Sequence, residues 1–210
     1  MASLQSLHDV FVHELRDLYS AERQLIKALP KMARKANSEE LAEALDNHLH
    51  ETEGHAARLE EILKTLGEKA RGVKCKGMEG LIDEGEDVLE MGGLASALDA
   101  AMIGAAQRVE HYEIAAYGTA ISHAKAQGHT EASRLLEETL KEEENADRLL
   151  SEIAETSINE VADRSTMGEA VSVAFPRMFQ PANGRKNGRK NASRAATKKT
   201  ARTRAKSSRR

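Results

Sequence analysis

Residues 105–120 read AAQRVEHYEIAAYGTA, an alanine-rich stretch with helical periodicity in which two carboxylates interrupt apolar rows. Glu113 falls on the stripe Leu94, Leu98, Met102, Val109, Ala116, and Glu110 on the adjoining row Ile103, Ala106, Ile114, Tyr117, Ile121. A helix buries such a face, and an unpartnered carboxylate there is costly. The stretch therefore predicts a packed helix whose interior has something to neutralise.

The same anomaly recurs along the chain. The stripe Leu7, Phe11, Leu15, Leu18, Leu25, Leu29 steps by three and four through the first 37 residues, with Glu22 standing between Leu18 and Leu25. Pro30 predicts a kink or an early end to this helix. Asn37–Ser38 reads as a cap for a second helix that runs to about Leu66, where Gly67 stops it. On that helix His48, Glu51 and His55 share one face at spacings of three and four. Residues 67–93 are glycine-rich and hold one short helix, Met78–Met91. A third long helix spans about 94–127, ended by Gly128, and a fourth spans about 130–158. On the fourth, Glu142 shares a row with Leu135, Leu149 and Ile153, while Glu143 and Asp147 share the next with Leu136, Leu140 and Leu150.

At an offset of 91 residues, eight of the 24 positions in 40–63 are identical in 131–154, and the same offset places Glu22 on Glu113. Two helical hairpins joined by a long connection give an all-α protein, a ferritin-like antiparallel four-helix bundle with a crossover segment carrying a short extra helix. Each long helix then projects at least one carboxylate inward. Glutamates from two helices, with Glu-x-x-His from the other two, hold the metals of di-iron and di-manganese bundles. Here Glu51 is followed at that spacing by Gly54 and Glu142 by Asn145, so His48, three residues before Glu51, or His55, four after it, substitutes. An oxygen-rich set with some imidazole suits two metal ions per domain, iron first and manganese as the alternative, rather than zinc.

Composition sets the outer bounds. The chain has 210 residues, 3% aromatics and three prolines, which favours helices over a β-sandwich. Its lone cysteine, Cys75, excludes an internal disulfide and a two-cysteine zinc site. No run of eighteen apolar residues suggests a membrane span, and a reducing cytoplasm is the default location. The net charge of −3 conceals an asymmetry: Arg177–Arg210 carries 13 Lys/Arg and no Asp/Glu, leaving 18 basic against 34 acidic side chains in residues 1–176, or −16. Residues 1–165 are read as the helical domain and 166–210 as a linker and disordered basic tail. Its positive residues, Arg185, Lys186, Arg189, Lys190, Arg194, Lys198, Lys199, Arg202, Arg204, Lys206, Arg209 and Arg210, suit sequence-independent contact with nucleic acid phosphates. The same charges would alternatively solubilise the chain or shield its acidic body.

The segments DVFVHELRDLYSAERQLIKALPK (9–31), NHLHETEGHAARLEEI (47–62), MEGLIDEGE (78–86), AAQRVEHYEIAAYGTA (105–120) and LLEETLKEEENADRLL (135–150) resemble the YciE/YciF family of bacterial ferritin-like stress proteins, in order and with nearly the same spacing over residues 4–160. The resemblance implies a rubrerythrin-like domain, often dimeric, with a dinuclear metal site and a ferroxidase role. Carried over by position, it implies Glu22, His48, Glu51, Glu110, Glu113 and Glu142 as metal ligands. His55, Tyr117, Glu143 and Asp147 follow as alternative ligands or as supports for them. His111 falls outside the stripes and Glu14 is unlike the family pattern.

Two functions are compatible with these features. The first is a di-iron, or iron and manganese, carboxylate oxidoreductase that oxidises Fe(II) with oxygen or peroxide in stress protection, its tail contacting DNA in a nucleoid-associated setting. The alternative is a metal-free helical assembly module with a nucleic-acid-binding tail.

Overall fold

The computed structural model describes residues 4–71 and 73–164. The basic tail, with every Lys/Arg named above as a nucleic-acid contact, lies outside the described residues, as does the linker from residue 165. Helix α1 runs Leu7–Lys35, α2 Glu39–Thr65, α3 Lys76–Glu90, α4 Ala95–Ala126 and α5 Thr130–Ile153; a π-helical turn, Ala154–Ile158, leads into α6, Asn159–Arg164. There is no strand among the described residues.

Local sequence accounts for the ends. Ser6 caps α1 by accepting from the Asp9 N–H at 3.1 Å, and Asp9 returns the bond to the Gln5 N–H at 3.0 Å. Ser38 caps α2 through the Leu41 N–H. Gly67 and Gly128, at φ 76° and 74°, close α2 and α4 in the left-handed region that glycine enters without penalty. The first helix runs unbroken through Pro30 to Lys35, further than an early end there would allow, because loss of a single backbone donor is outweighed by the packing of Leu25 and Leu29 on one side and Met32 on the other.

Helix α1 packs on α2 and α4 on α5, the two hairpins meet through α2 with α5 and α1 with α4, and α3 lies across α4 and α1 within the crossover. This is the four-helix plan with a short extra helix. Buried Asp99 of α4 fastens the α1–α2 turn, accepting from the Asn37 N–H at 2.9 Å and the Ser38 N–H at 2.8 Å. In the π turn, where i to i−4 backbone pairing is interrupted, the Thr156 and Ser157 hydroxyls donate to the carbonyls of Glu152 and Ile153.

The interior is divided. One apolar cluster contains Leu25, Leu29, Leu45, Met102, Val109 and Leu150, and the other Phe11, Leu18, Leu59, Tyr117, Ile121 and Leu136. Along every long helix the change from one cluster to the other brackets an inward polar residue: Glu22 between Leu18 and Leu25, His48 and His55 between Leu45 and Leu59, Glu113 between Val109 and Tyr117, Glu143 between Leu136 and Leu150. A polar layer thus crosses the bundle where apolar packing stops.

Candidate metal centre

That layer contains Glu22, His48, His55, Glu110, Glu113 and Glu143, all buried. Two overlapping groups bring one ligand atom per residue to within 4.8 Å of one another: Glu22, His55 and Glu143 form one, and His48, Glu110, Glu113 and Glu143 the other. Glu143 is common to both. His55 Nδ1 lies 2.9 Å from Glu143 and 3.6 Å from Glu22, while His48 Nε2 lies 3.5 Å from Glu110 and 3.6 Å from Glu143. The buried phenol of Tyr117 donates to Glu22, and its ring meets His55 edge-on.

Hydrogen bonding leaves this layer under-satisfied. Glu22 Oε2, His48 Nε2, His55 Nδ1, Glu110 Oε2 and both carboxylate oxygens of Glu113 and Glu143 lack a partner with hydrogen-bond geometry, the close His55–Glu143 contact being misaligned. Buried polar atoms in folded proteins are nearly always satisfied, so so many convergent orphans are a specific signal. The donor set, four carboxylates and two imidazoles, is rich in oxygen with some imidazole and contains no thiolate. These convergent residues could hold a metal ion, which would give the unpartnered atoms a common partner.

Proton affinities reflect the crowding. Burial raises the proton affinity of Glu22, and it holds Glu110 and Glu113 well above the usual carboxylate range, with neighbouring carboxylates adding to the effect on Glu113. Burial opposes a charge on Glu143 too, but the adjoining His55 outweighs it and keeps this carboxyl below its ordinary value. Burial likewise disfavours protonated His48 and His55, yet the surrounding carboxylates prevail and push them up to about 9 and about 11.

Of the residues that the sequence brings forward as ligands, Glu22, His48, Glu110 and Glu113 converge in the layer. Glu51 is placed at its edge, 45% exposed and 3.4 Å from His48 Nδ1. Glu142, 28% exposed, is held by Arg58 and by His55 Nε2 at 2.9 Å, so it reaches the centre through His55. Asp147 turns toward α4, accepting from Gln107 at 3.1 Å with His111 at 3.3 Å. His55 and Glu143, read from sequence as alternatives, are among the buried core of the layer.

Thr52 is the position that sequence reasoning passed over. It faces inward with no exposure and bonds its own helix at the His48 carbonyl. The offset of 91 pairs Thr52 with Glu143 and His55 with Ala146. Thr52-x-x-His55 on α2 and Glu143-x-x-Ala146 on α5 each retain one half of a Glu-x-x-His motif, one residue out of register from Glu51 and Glu142. The internal repeat carried that signal.

A cleft of about 620 Å³ between α2 and α5, lined by Leu45, Asn47, Arg148 and Leu149, has His48, Glu51 and Glu110 in its walls. It connects the polar layer to the surface on one side. Among the described residues no helix is long and apolar enough to cross a membrane.

Comparisons with known proteins agree with this architecture. Protein YciF of Escherichia coli K12 is 43% identical over 162 residues, which is 77% of this chain and 98% of that protein. The crystal structure of that stress protein superimposes with a TM-score of 0.72, covering 75% of this chain and 99% of its own. YcfI of Rhodopseudomonas palustris, also 43% identical, gives 0.68 over 71% of this chain and 95% of its own. A Xanthomonas campestris protein shares the fold at 20% identity and a TM-score of 0.62. The family model described as a domain of unknown function, DUF892, matches residues 6–163. With that match spanning the whole helical bundle, the chain belongs to the DUF892 family, alongside the stress protein YciF.

Proposed function

We propose that the bundle is a dinuclear metal-carboxylate oxidoreductase that oxidises Fe(II) with dioxygen or peroxide. The supporting observation is the convergence of buried polar atoms without partners, arranged as two ligand groups that share Glu143. Glu22, His55 and Glu143 would hold one ion, and His48, Glu110, Glu113 and Glu143 the other. Bound iron supplies the one-electron steps that pass from Fe(II) to the oxidant.

The chain's own groups do the rest. Glu110 and Glu113 keep their protons until a cation displaces them, so binding releases protons to solvent. The carboxylates of Glu22, Glu110, Glu113 and Glu143 would favour the more highly charged oxidised state of a bound metal over the reduced one. Tyr117 fixes one oxygen of Glu22, and Arg58 fixes Glu142 against His55, so both ligand side chains are oriented from behind. The apolar clusters above and below exclude water, and the α2–α5 cleft admits small reactants past His48 and Glu110. The excess of negative charge on residues 1–176 favours the arrival of cations.

The basic end of the chain supports a separable activity, salt-sensitive contact with DNA phosphates, and the resemblance supports a homodimer in the cytoplasm. Beside DNA, consumption of Fe(II) and peroxide would remove a source of damage.

Anaerobic titration of Fe(II) into metal-free chain, followed by mixing with oxygen and near-ultraviolet absorbance, tests the reading. Two Fe(II) per chain and a fast rise are expected, both lost in Glu143→Ala and Glu113→Ala and largely kept in Glu51→Ala. Absence of binding, or equal slow oxidation in every variant, overturns the reading and leaves a metal-free assembly module.

A further inference from the structure

Cys75, the chain's single cysteine, is fully buried and takes no part in the metal centre. Its peptide is held on both sides: the N–H donates to Ser20 Oγ at 3.0 Å, and the carbonyl accepts from Gln24 Nε2 at 3.0 Å. Its Sγ lies 2.9 Å from Tyr112 Oη, and the phenol donates to Asp17 Oδ2 at 3.0 Å. A phenol has one proton, and here Asp17 receives it, so the thiol proton faces the phenol oxygen. Gly77 completes the fit, since a Cβ there would stand 2.8 Å from Tyr112 Cε2. Only glycine lets the ring edge rest against the start of α3. Tyr112 immediately precedes Glu113 of the polar layer in the sequence of α4.

Thiol, phenol and carboxylate therefore form an ordered row beside the centre. A nucleophilic cysteine needs solvent access and a thiolate, and this one has neither the exposure nor a cationic neighbour. The sulfur caps α3 by accepting from the Met78 N–H at 3.4 Å, and capping does not itself require the phenol, whose proton already has an acceptor, within hydrogen-bonding reach of Sγ. Such a phenol loses an electron and its proton together, the proton passing to Asp17. The unpaired electron then spreads to the ring carbons flanking the oxygen, an oxygen that itself lies 2.9 Å from Sγ.

We propose that Cys75 and Tyr112 are a site of oxidative self-modification that closes to a thioether between Sγ and the ring carbon beside the phenol oxygen. The S–H and one ring C–H bond break and one S–C bond forms. The two protons and two electrons released reduce one hydrogen peroxide to two waters. In the cell, the supply of oxidising equivalents rests on the metal chemistry proposed above.

Full-length protein is treated with Fe(II) and peroxide, and in parallel with hexachloroiridate, a one-electron oxidant that needs no metal site. The expected product has an intact mass lower by two hydrogens, survives thiol reductants and has no thiol titratable after denaturation. Trypsin then yields Cys75–Lys76 joined to peptide 109–125 at Tyr112. Cys75→Ser and Tyr112→Phe abolish the product while leaving Fe(II) binding unchanged. Iron oxidation with a thiol that stays free overturns the cross-link and leaves the metal reading standing. Should Fe(II) not bind, the hexachloroiridate sample decides: a 75–112 link upholds the inference, and a free thiol overturns it.

Discussion

Glu113 brings two carboxylate oxygens into the bundle and finds a donor for neither. Leucine at that position fills similar volume without a polar group, and replacing a buried, unsatisfied acid by an apolar residue is commonly stabilising. In chelator-treated protein, Glu113→Leu is expected to raise stability by about 1–3 kcal/mol, read from thermal denaturation. The same variant is expected to lose the rise in melting temperature that Fe(II) or Mn(II) gives the parent chain. The two histidines set a pH dependence whose sign follows from their raised proton affinity. Folded His48 and His55 bind protons more tightly than in the unfolded chain, as do Glu110 and Glu113. Their contribution is complete below about pH 6.5 for the imidazoles, and it drains away as pH climbs toward about 9, the folded value for His48. Metal-free protein is therefore expected to melt at falling temperature from pH 6.5 to 9, whereas metal affinity rises over the same interval. At this scale the sequence told only part of the story. Glu22 and Glu113 were legible because each interrupts a long apolar stripe, but Glu142 and Glu143 are adjacent, and a helical row tolerates an error of one position. Arg58 resolves the pair by drawing Glu142 outward.

Elements were easier to read, since twenty or more residues of 3.6-residue periodicity average out local ambiguity. Both glycine stops and the short crossover helix fall where the pattern puts them. The Pro30 signal was ambiguous because propensity for a break competes with apolar contacts on either side of it, which only tertiary packing reveals. Asp99 was illegible as a fastener, being one acidic residue at the start of α4 whose partners are sixty residues away in sequence. Asp99→Ala is expected to cost about 1–3 kcal/mol in urea denaturation by releasing the α1–α2 turn. It should leave the metal stoichiometry unchanged, because the polar layer lies several turns along the bundle. The π turn gave no sign in the apolar pattern. It holds one residue more than an α-helical turn, so deletion of exposed Glu155 is expected to keep Ile158 facing the core and continue α5 into α6. Circular dichroism and melting temperature close to those of the parent would check this, and collapse of both would refute it.

The molecule as a whole joins an acidic bundle to a strongly basic end, a contrast visible only when charge is counted by region rather than summed. Truncation after residue 176 is expected to abolish retardation of arbitrary DNA fragments without altering Fe(II) uptake. In the intact chain, the affinity should fall steeply between 50 and 200 mM salt, by roughly a thousandfold if six phosphates are engaged. The repeat at offset 91 made the double-hairpin plan legible, and its mismatches at Thr52/Glu143 and His55/Ala146 carried the divergence that leaves histidine on one motif helix and carboxylate on the other, which only the inward placement of these residues made readable. Carboxylates without partners handicap the empty bundle, and an ion that binds the folded chain in preference to the unfolded one lifts that handicap by mass action. Proteases in the cell degrade chains in proportion to the time they spend open, so newly made copies that find no metal would be cleared sooner. Abundance would then follow the supply of iron without any regulator reading it: the protein's own lifetime would serve as the gauge.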